Sequence, residues 1–310
     1  MSRFSASEAA TSGFRFIRRE PRTVLVWAGL LFVYELVYGL LIVWLAHDKL
    51  AAVEAFRETN NTDPEAALSM LPAVSPVLLL TFVALLAVAS VMFAAAYRAQ
   101  LAPDADRWGH LRVGRDELRF GGLIVIWIAL WVGSSFIVTF FTALLYALGS
   151  ALPPIIGLPY MVLLIVVAIG ALVYPVVRLS LSMPMTYADA HVRLLESWKP
   201  TRGQFWALLG AFLLTALLIA ILWLSVWFLV SALAVIVAML TGQPLTAFSH
   251  DLLNTDRSSL TTNLRPLSLI AAMINSLLSA ASLAIFCSPV AEAYRALADD
   301  DEPVSEPISA

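Results

Sequence analysis

Six long apolar stretches, separated by connections whose basic residues are unevenly shared, decide what this chain can fold into. Runs near Thr23–Ala46, Ala73–Ala96, Phe120–Leu148, Ile155–Val177, Phe205–Phe228 and Leu267–Tyr294 each hold the roughly 20 apolar residues that a helix needs to cross about 30 Å of hydrocarbon. Of nineteen Lys and Arg residues, fifteen lie in the N-terminal segment, the second and fourth connections and the C-terminal segment, and four in the other three connections. Basic residues near span ends are retained on the cytoplasmic side, so the pattern predicts six crossings with both termini inside.

With 60% hydrophobic and 13% charged residues, the chain leaves no room for a sizeable soluble domain. It divides into an interfacial amphipathic segment at 1–22, a six-helix transmembrane domain at 23–297 and an acidic tail at 298–310, expected to be solvated and disordered. The first apolar run is too long for a signal-peptide core and has no small-residue cleavage signature before His47, so it reads as a retained span with nothing processed off. A formal net charge of −3 gives no basic field for nucleic acid. The single cysteine, Cys287, excludes an intrachain disulfide and a cysteine metal cluster. Seventeen Arg against two Lys, with many Ala, resemble the coding bias of a GC-rich bacterium, which places the expected spans in an inner membrane.

Cut after each even span, the chain gives three hairpins of like grammar. Each opens on a basic amphipathic segment (Gly13–Arg19, Leu111–Phe120, Glu196–Gly203) and enters a span with a Trp near its start, at Trp27, Trp127 and Trp206. Each even span ends on one arginine, Arg98, Arg178 or Arg295. The hairpins share one orientation, which would make a parallel repeat and not an inverted one. In the first segment, Ser5-Ala6-Ser7-Glu8 matches a capping box, and the helix after it sets Phe14 and Ile17 beside Arg15, Arg18 and Arg19, as in a helix lying on the inner leaflet. Pro21 then predicts a break before the first span. The fifth run, Phe205–Leu240, is 36 residues long, and Leu229–Leu240 either continues the helix or turns into the interface.

Glu35 is the acidic residue set deepest in a span, where an ionised carboxylate is disfavoured unless it faces other helices or a wet cavity. Tyr34, Tyr38, Asn275 and the serines Ser134, Ser135, Ser276, Ser279 and Ser282 are partners by type. Glu35 therefore either locks helices together by hydrogen bonding or moves protons or binds a ligand, with Tyr34, Tyr38, Asn275 and Ser279 as the accompanying candidates. The sixth span is the most polar, and Tyr174-Pro175 and Ser288-Pro289 interrupt helical hydrogen bonding one turn before the exit arginines. Arg98, Arg178 and Arg295 either snorkel to the membrane surface or hold lipid phosphate. No phosphate loop, His-Glu-x-x-His, Gly-x-Ser-x-Gly or Gly-x-Gly-x-x-Gly occurs, so no catalytic residue, metal ligand or cofactor is expected. The histidines, His47, His110, His191 and His250, are scattered over both sides of the expected membrane.

Arg178-Leu179-Ser180-Leu181-Ser182-Met183-Pro184, then Leu195 through Trp206 (Leu-Glu-Ser-Trp-Lys-Pro-Thr-Arg-Gly-Gln-Phe-Trp), and the closing Ala291-Glu292-Ala293-Tyr294-Arg295-Ala296-Leu297, resemble a superfamily of six-span proteins. That superfamily includes the YciC-like inner-membrane proteins and the membrane domain fused to some glycerophosphodiester phosphodiesterases. The resemblance runs from Ser5 to Leu297. It implies the six-span topology and little chemistry, because the phosphodiesterase reaction belongs to a separate barrel domain whose His-Arg-Gly and metal-binding carboxylates are missing here. Together these features lead to an all-α polytopic protein of three hairpins with amphipathic interfacial cytoplasmic segments. Its expected role is non-enzymatic, as a scaffold or lipid-binding unit in envelope or lipid-related processes. Membrane lipids are the expected partners, with another inner-membrane or envelope protein as a further one. The alternative is a small transporter or permease component using Glu35 and the sixth span. The sequence sets no oligomeric state.

Overall fold

The computed structural model describes residues 5–58, 64–102, 108–150, 153–242 and 264–298. Those residues form α1 (Ala6–Arg19), α2 (Pro21–Glu58), α3 (Pro64–Leu101), α4 (Arg115–Gly149), α5 (Pro154–Leu179), the short α6 (Ser182–Ala188), a 3-10 turn at Leu195–Trp198, α7 (Phe205–Thr241) and α8 (Pro266–Ala298). Six of these helices, α2 to α5, α7 and α8, are long and apolar enough to cross a membrane, and the fold is an all-α multi-pass bundle. Residues 299–310 of the expected acidic tail lie outside the described residues.

Several boundaries follow from local chemistry. Pro21 has no N–H to give and a φ already set for a first helical turn, so it ends α1 and starts α2, with Glu20 between them in a non-helical conformation. Ser5 is the N-cap of α1, yet the expected capping box does not form, because its hydroxyl bonds the Ser7 hydroxyl at 3.1 Å. A carboxylate does close the start of α4, where Glu117 Oε2 accepts the Gly114 N–H at 2.8 Å. The connection expected between the first two spans is largely helical, since α2 runs on through Ala- and Glu-rich chain to Glu58 and α3 begins at Pro64. Leu229–Leu240 continues α7 as one helix of 37 residues, about 55 Å long. Pro175 and Pro289 lie within continuous helices, and at the second of these Ser288 donates its hydroxyl to the Ala284 carbonyl at 2.7 Å.

The hub is α8, which packs on α1, α2, α3 and α7, while α4 lies on α3 and α5 on α4. Its buried face is built of Ala280, Ala284, Ile285, Cys287, Val290, Ala291 and Ala293, and α3 answers with Ala94, Ala95 and Ala96. Small side chains let helix backbones approach closely where lipid gives no hydrophobic drive to association. Larger groups fill the remaining space, among them Trp27, Tyr97, Phe120, Leu181 and Leu208. All of these come from the ends of helices nearest the exit arginines, so the packed core occupies that half of the bundle, called the basic end below. Toward the other end α4 and α5 expose apolar side chains such as Phe136, Phe140, Leu163 and Val166 on their outer faces, as lipid-facing surface does.

The three basic segments do not share one form. The first is a separate helix, the second is irregular chain running into the first turn of α4, and the third is a 3-10 turn followed by hydrogen-bonded turns. Nor does α1 rest on its large residues alone. Its buried face is Ala9, Ala10, Ser12 and Gly13, seated on α8 and α7, and Phe16 and Ile17 pack against the core beside it, whereas Phe14 is only half-buried. A Cβ on Gly13 would stand 2.4 Å from the Ile285 Cα, so the two backbones are in contact there.

Candidate functional site

The three exit arginines meet three different fates. Arg98, at the end of α3, is buried: it donates from Nη1 to the His110 carbonyl at 2.6 Å and from Nη2 to Glu117 at 2.8 Å. Trp27 on α2 reaches the same loop, its Nε1 donating to the Gly109 carbonyl at 2.7 Å. Gly109 has a φ of +65°, and a Cβ there would press on Val26 at 2.8 Å, so both conformation and space call for glycine. The Arg98 guanidinium is therefore consumed in pinning the loop before α4. Where snorkelling or lipid phosphate was expected of it, the structure sets Arg98 against Glu117 and the His110 carbonyl.

Arg178, at the end of α5, is also buried, at 5% exposure, but no acidic side chain among the described residues pairs with it. Its guanidinium carbon stands 4.8 Å from the centre of the Trp198 ring and 6.0 Å from that of Tyr174. Its Nε has no hydrogen-bond partner, and it forms no ion pair among the described residues. Its own carbonyl accepts the hydroxyls of Ser197 at 3.2 Å and Thr201 at 3.1 Å, which draws the turn carrying Trp198 under the charge. Stacking on aromatic faces stabilises a desolvated guanidinium but leaves its edge free for an anion. Arg295, at the end of α8, is exposed and lines a cavity of about 290 Å³ with α1 and α3.

The intramembrane cluster lies beyond the packed core, about 20 Å along α2 from Arg22. Glu35 is half-buried and faces α8, where its Oε2 accepts the Asn275 amide at 3.4 Å and the Ser276 hydroxyl at 3.3 Å. Tyr34 stacks on Tyr38, ring centroids 5.6 Å apart, and the Tyr38 hydroxyl is bonded to Thr81 on α3. Of the candidates named with Glu35, Asn275 is brought to the carboxylate and Ser279 is not; its place is taken by Ser276. Ser282, one turn further, accepts Trp223 Nε1 from α7 at 2.8 Å. The cluster thus ties α2 to α8 and α3, which is what a helix-locking residue does. Glu35→Gln is expected to change unfolding free energy by about 0.6 kcal/mol or less, since an amide keeps an acceptor for Asn275 and Ser276. Thermal unfolding in micelles measures it, and a larger loss would mean that the charge itself holds the helices.

Among the described residues no cluster of His, Cys, Asp and Glu is placed to hold a metal ion. Asp189 and Glu196 instead flank Arg193, at 3.2 and 3.1 Å, and His191 Nδ1 lies 2.8 Å from the Asp189 carbonyl. No family model, no curated protein and no solved structure matches the chain.

Proposed function

We propose that this is a non-enzymatic inner-membrane protein of the YciC-like kind that binds phospholipid at its basic end and serves as a scaffold there, with both termini cytoplasmic. One observation carries the reading: two of the three exit arginines, Arg178 and Arg295, have no acidic partner among the described residues, and one of them is nine-tenths buried. A buried, uncompensated charge costs several kcal/mol unless an anion is supplied from outside the chain. In a membrane the phosphates of the lipid headgroups supply it, at the depth where helix-end arginines lie.

The test is thermal unfolding of the protein in phospholipid vesicles against vesicles of uncharged glycolipid. Phospholipid is expected to stabilise the wild type, and Arg178→Gln to remove a large part of that gain. Equal stability in both lipids would end the lipid-binding reading. The orientation has its own check: reporters fused at Ala310 and within 59–63 are expected in opposite compartments, and finding both in one would sink the topology. A second reading, a small transporter working through Glu35, is favoured by one detail: both hydrogen bonds go to Oε2, leaving Oε1 without a partner among the described residues. Proton flux into vesicles that Glu35→Gln abolishes would decide for it.

A further inference from the structure

The cavity between α1, α3 and α8 is a second feature of the basic end, separate from Arg178, and its lining is chemically two-sided. Arg15 and Glu292 form an ion pair across it at 2.8 Å and cancel one another. What remains is two arginines, Arg19 and Arg295, and one carboxylate, Glu20, none of which has an ion-pair partner among the described residues. Gln100, in the last turn of α3, also lines the cavity, at 8% exposure, and its amide nitrogen is buried without a hydrogen-bond partner. A buried donor left unmade is destabilising, and buried polar groups are otherwise almost always satisfied.

We infer that this cavity seats the headgroup of a zwitterionic phospholipid, an ethanolamine phosphodiester. Its phosphate oxygens accept from Arg19, Arg295 and the Gln100 amide, and its ammonium lies against Glu20. The charges match: two cations and one anion on the protein meet one anion and one cation on the headgroup, with one positive charge left over to favour phosphate over a neutral lipid. The depth matches too. Arg19, Glu20 and Arg295 stand at helix ends, as does Ala99 in the last turn of α3, while Ser288 lies seven residues inside Arg295, about 10 Å along α8, so the charged rim faces the headgroup layer and the α8 wall at Ser288 and Ala291 faces the glycerol. The inference rests on the phospholipid-binding reading and gives it a site and a headgroup.

Native mass spectrometry of the full chain in detergent, titrated with short-chain phosphatidylethanolamine, phosphatidylglycerol and phosphatidylcholine, and with soluble phosphoethanolamine, tests it. Phosphatidylethanolamine is expected to bind tightest, and Arg19→Gln and Arg295→Gln each to weaken it about tenfold. Glu20→Gln should erase the preference for ethanolamine over glycerol headgroups without weakening phosphatidylglycerol. Arg119→Gln, on α4 and paired with Asp116 away from the cavity, should leave these affinities unchanged. Soluble phosphoethanolamine binding as tightly as the lipid would support the headgroup site and name a free metabolite as its source. Phosphatidylcholine binding as tightly as phosphatidylethanolamine, or arginine variants binding like wild type, would overturn the site while leaving phospholipid binding elsewhere intact. No binding of any phospholipid by the wild type would remove both readings. Gln100→Leu, which deletes the unmade donor and adds no charge, is expected to fold at least as well as wild type and to bind more weakly, so a misfolded arginine variant does not decide the matter.

Discussion

Replacing Glu117 by alanine is expected to destabilise the protein by about 3–5 kcal/mol, the range found when one member of a buried ion pair is removed. Arg98 would then remain at 4% side-chain exposure with Asp116, 3.7 Å away and itself 43% exposed, as its nearest carboxylate. The Gly114 N–H would lose its acceptor in the same step, freeing the start of α4. Denaturant unfolding in mixed micelles reads the loss. The double variant Arg98→Met with Glu117→Leu should recover most of it, because an apolar pair of like volume leaves no charge stranded. A loss under about 1 kcal/mol for Glu117→Ala would mean that water reaches the pair and that the loop is not pinned by it.

Gly13→Leu is expected to detach α1 from the bundle. The contact is with backbone, not with the end of a flexible side chain, so the helices have to part for a larger residue to fit. About 1–3 kcal/mol or more is expected from overpacking alone. The Arg15–Glu292 pair, half exposed, adds little to hold α1 in place once the groove is lost. Protease susceptibility within 5–20 reports the detachment directly: rapid cleavage is expected in the variant and slow cleavage in the wild type. Slow cleavage in both would show that α1 is retained by Phe16, which stacks on Trp27 at 5.9 Å, and not by the close crossing.

The six spans were legible because hydropathy over some 20 residues is a property of composition, and composition needs no neighbours to read. Which way each helix is turned is another matter. Asn275, Ser276, Ser279 and Ser282 fall on overlapping faces at helical spacing, and only the packed bundle sorts Asn275 and Ser276 toward Glu35 and Ser282 toward Trp223. Arg98 looked like any arginine at a helix end, because its partner lies nineteen residues on, past a loop whose path no pattern reveals. The face of α1 was open to a better reading: Ala9, Ala10 and Gly13 are small residues at helical spacing, the signature of close helix contact, but the larger Phe14 and Ile17 drew the eye. Trp198 beneath Arg178 could be named as a nearby aromatic, yet its stacking depends on hydroxyls bonding a carbonyl, which has no trace in sequence.

The place of α8 at the centre of the bundle sets an order of assembly. It is the last of the six crossing helices to be synthesised, and α1, α2, α3 and α7 all pack on it. During translation the chain therefore holds α2, α3 and α7 without the surface on which all three pack, while α4 can already settle on α3 and α5 on α4. Until α8 is threaded, the α2 carboxylate at Glu35 lacks its amide and hydroxyl, and α1 has no groove to enter. Completion of the fold is thus a single late event, and the cavity for a headgroup comes into being only when it occurs.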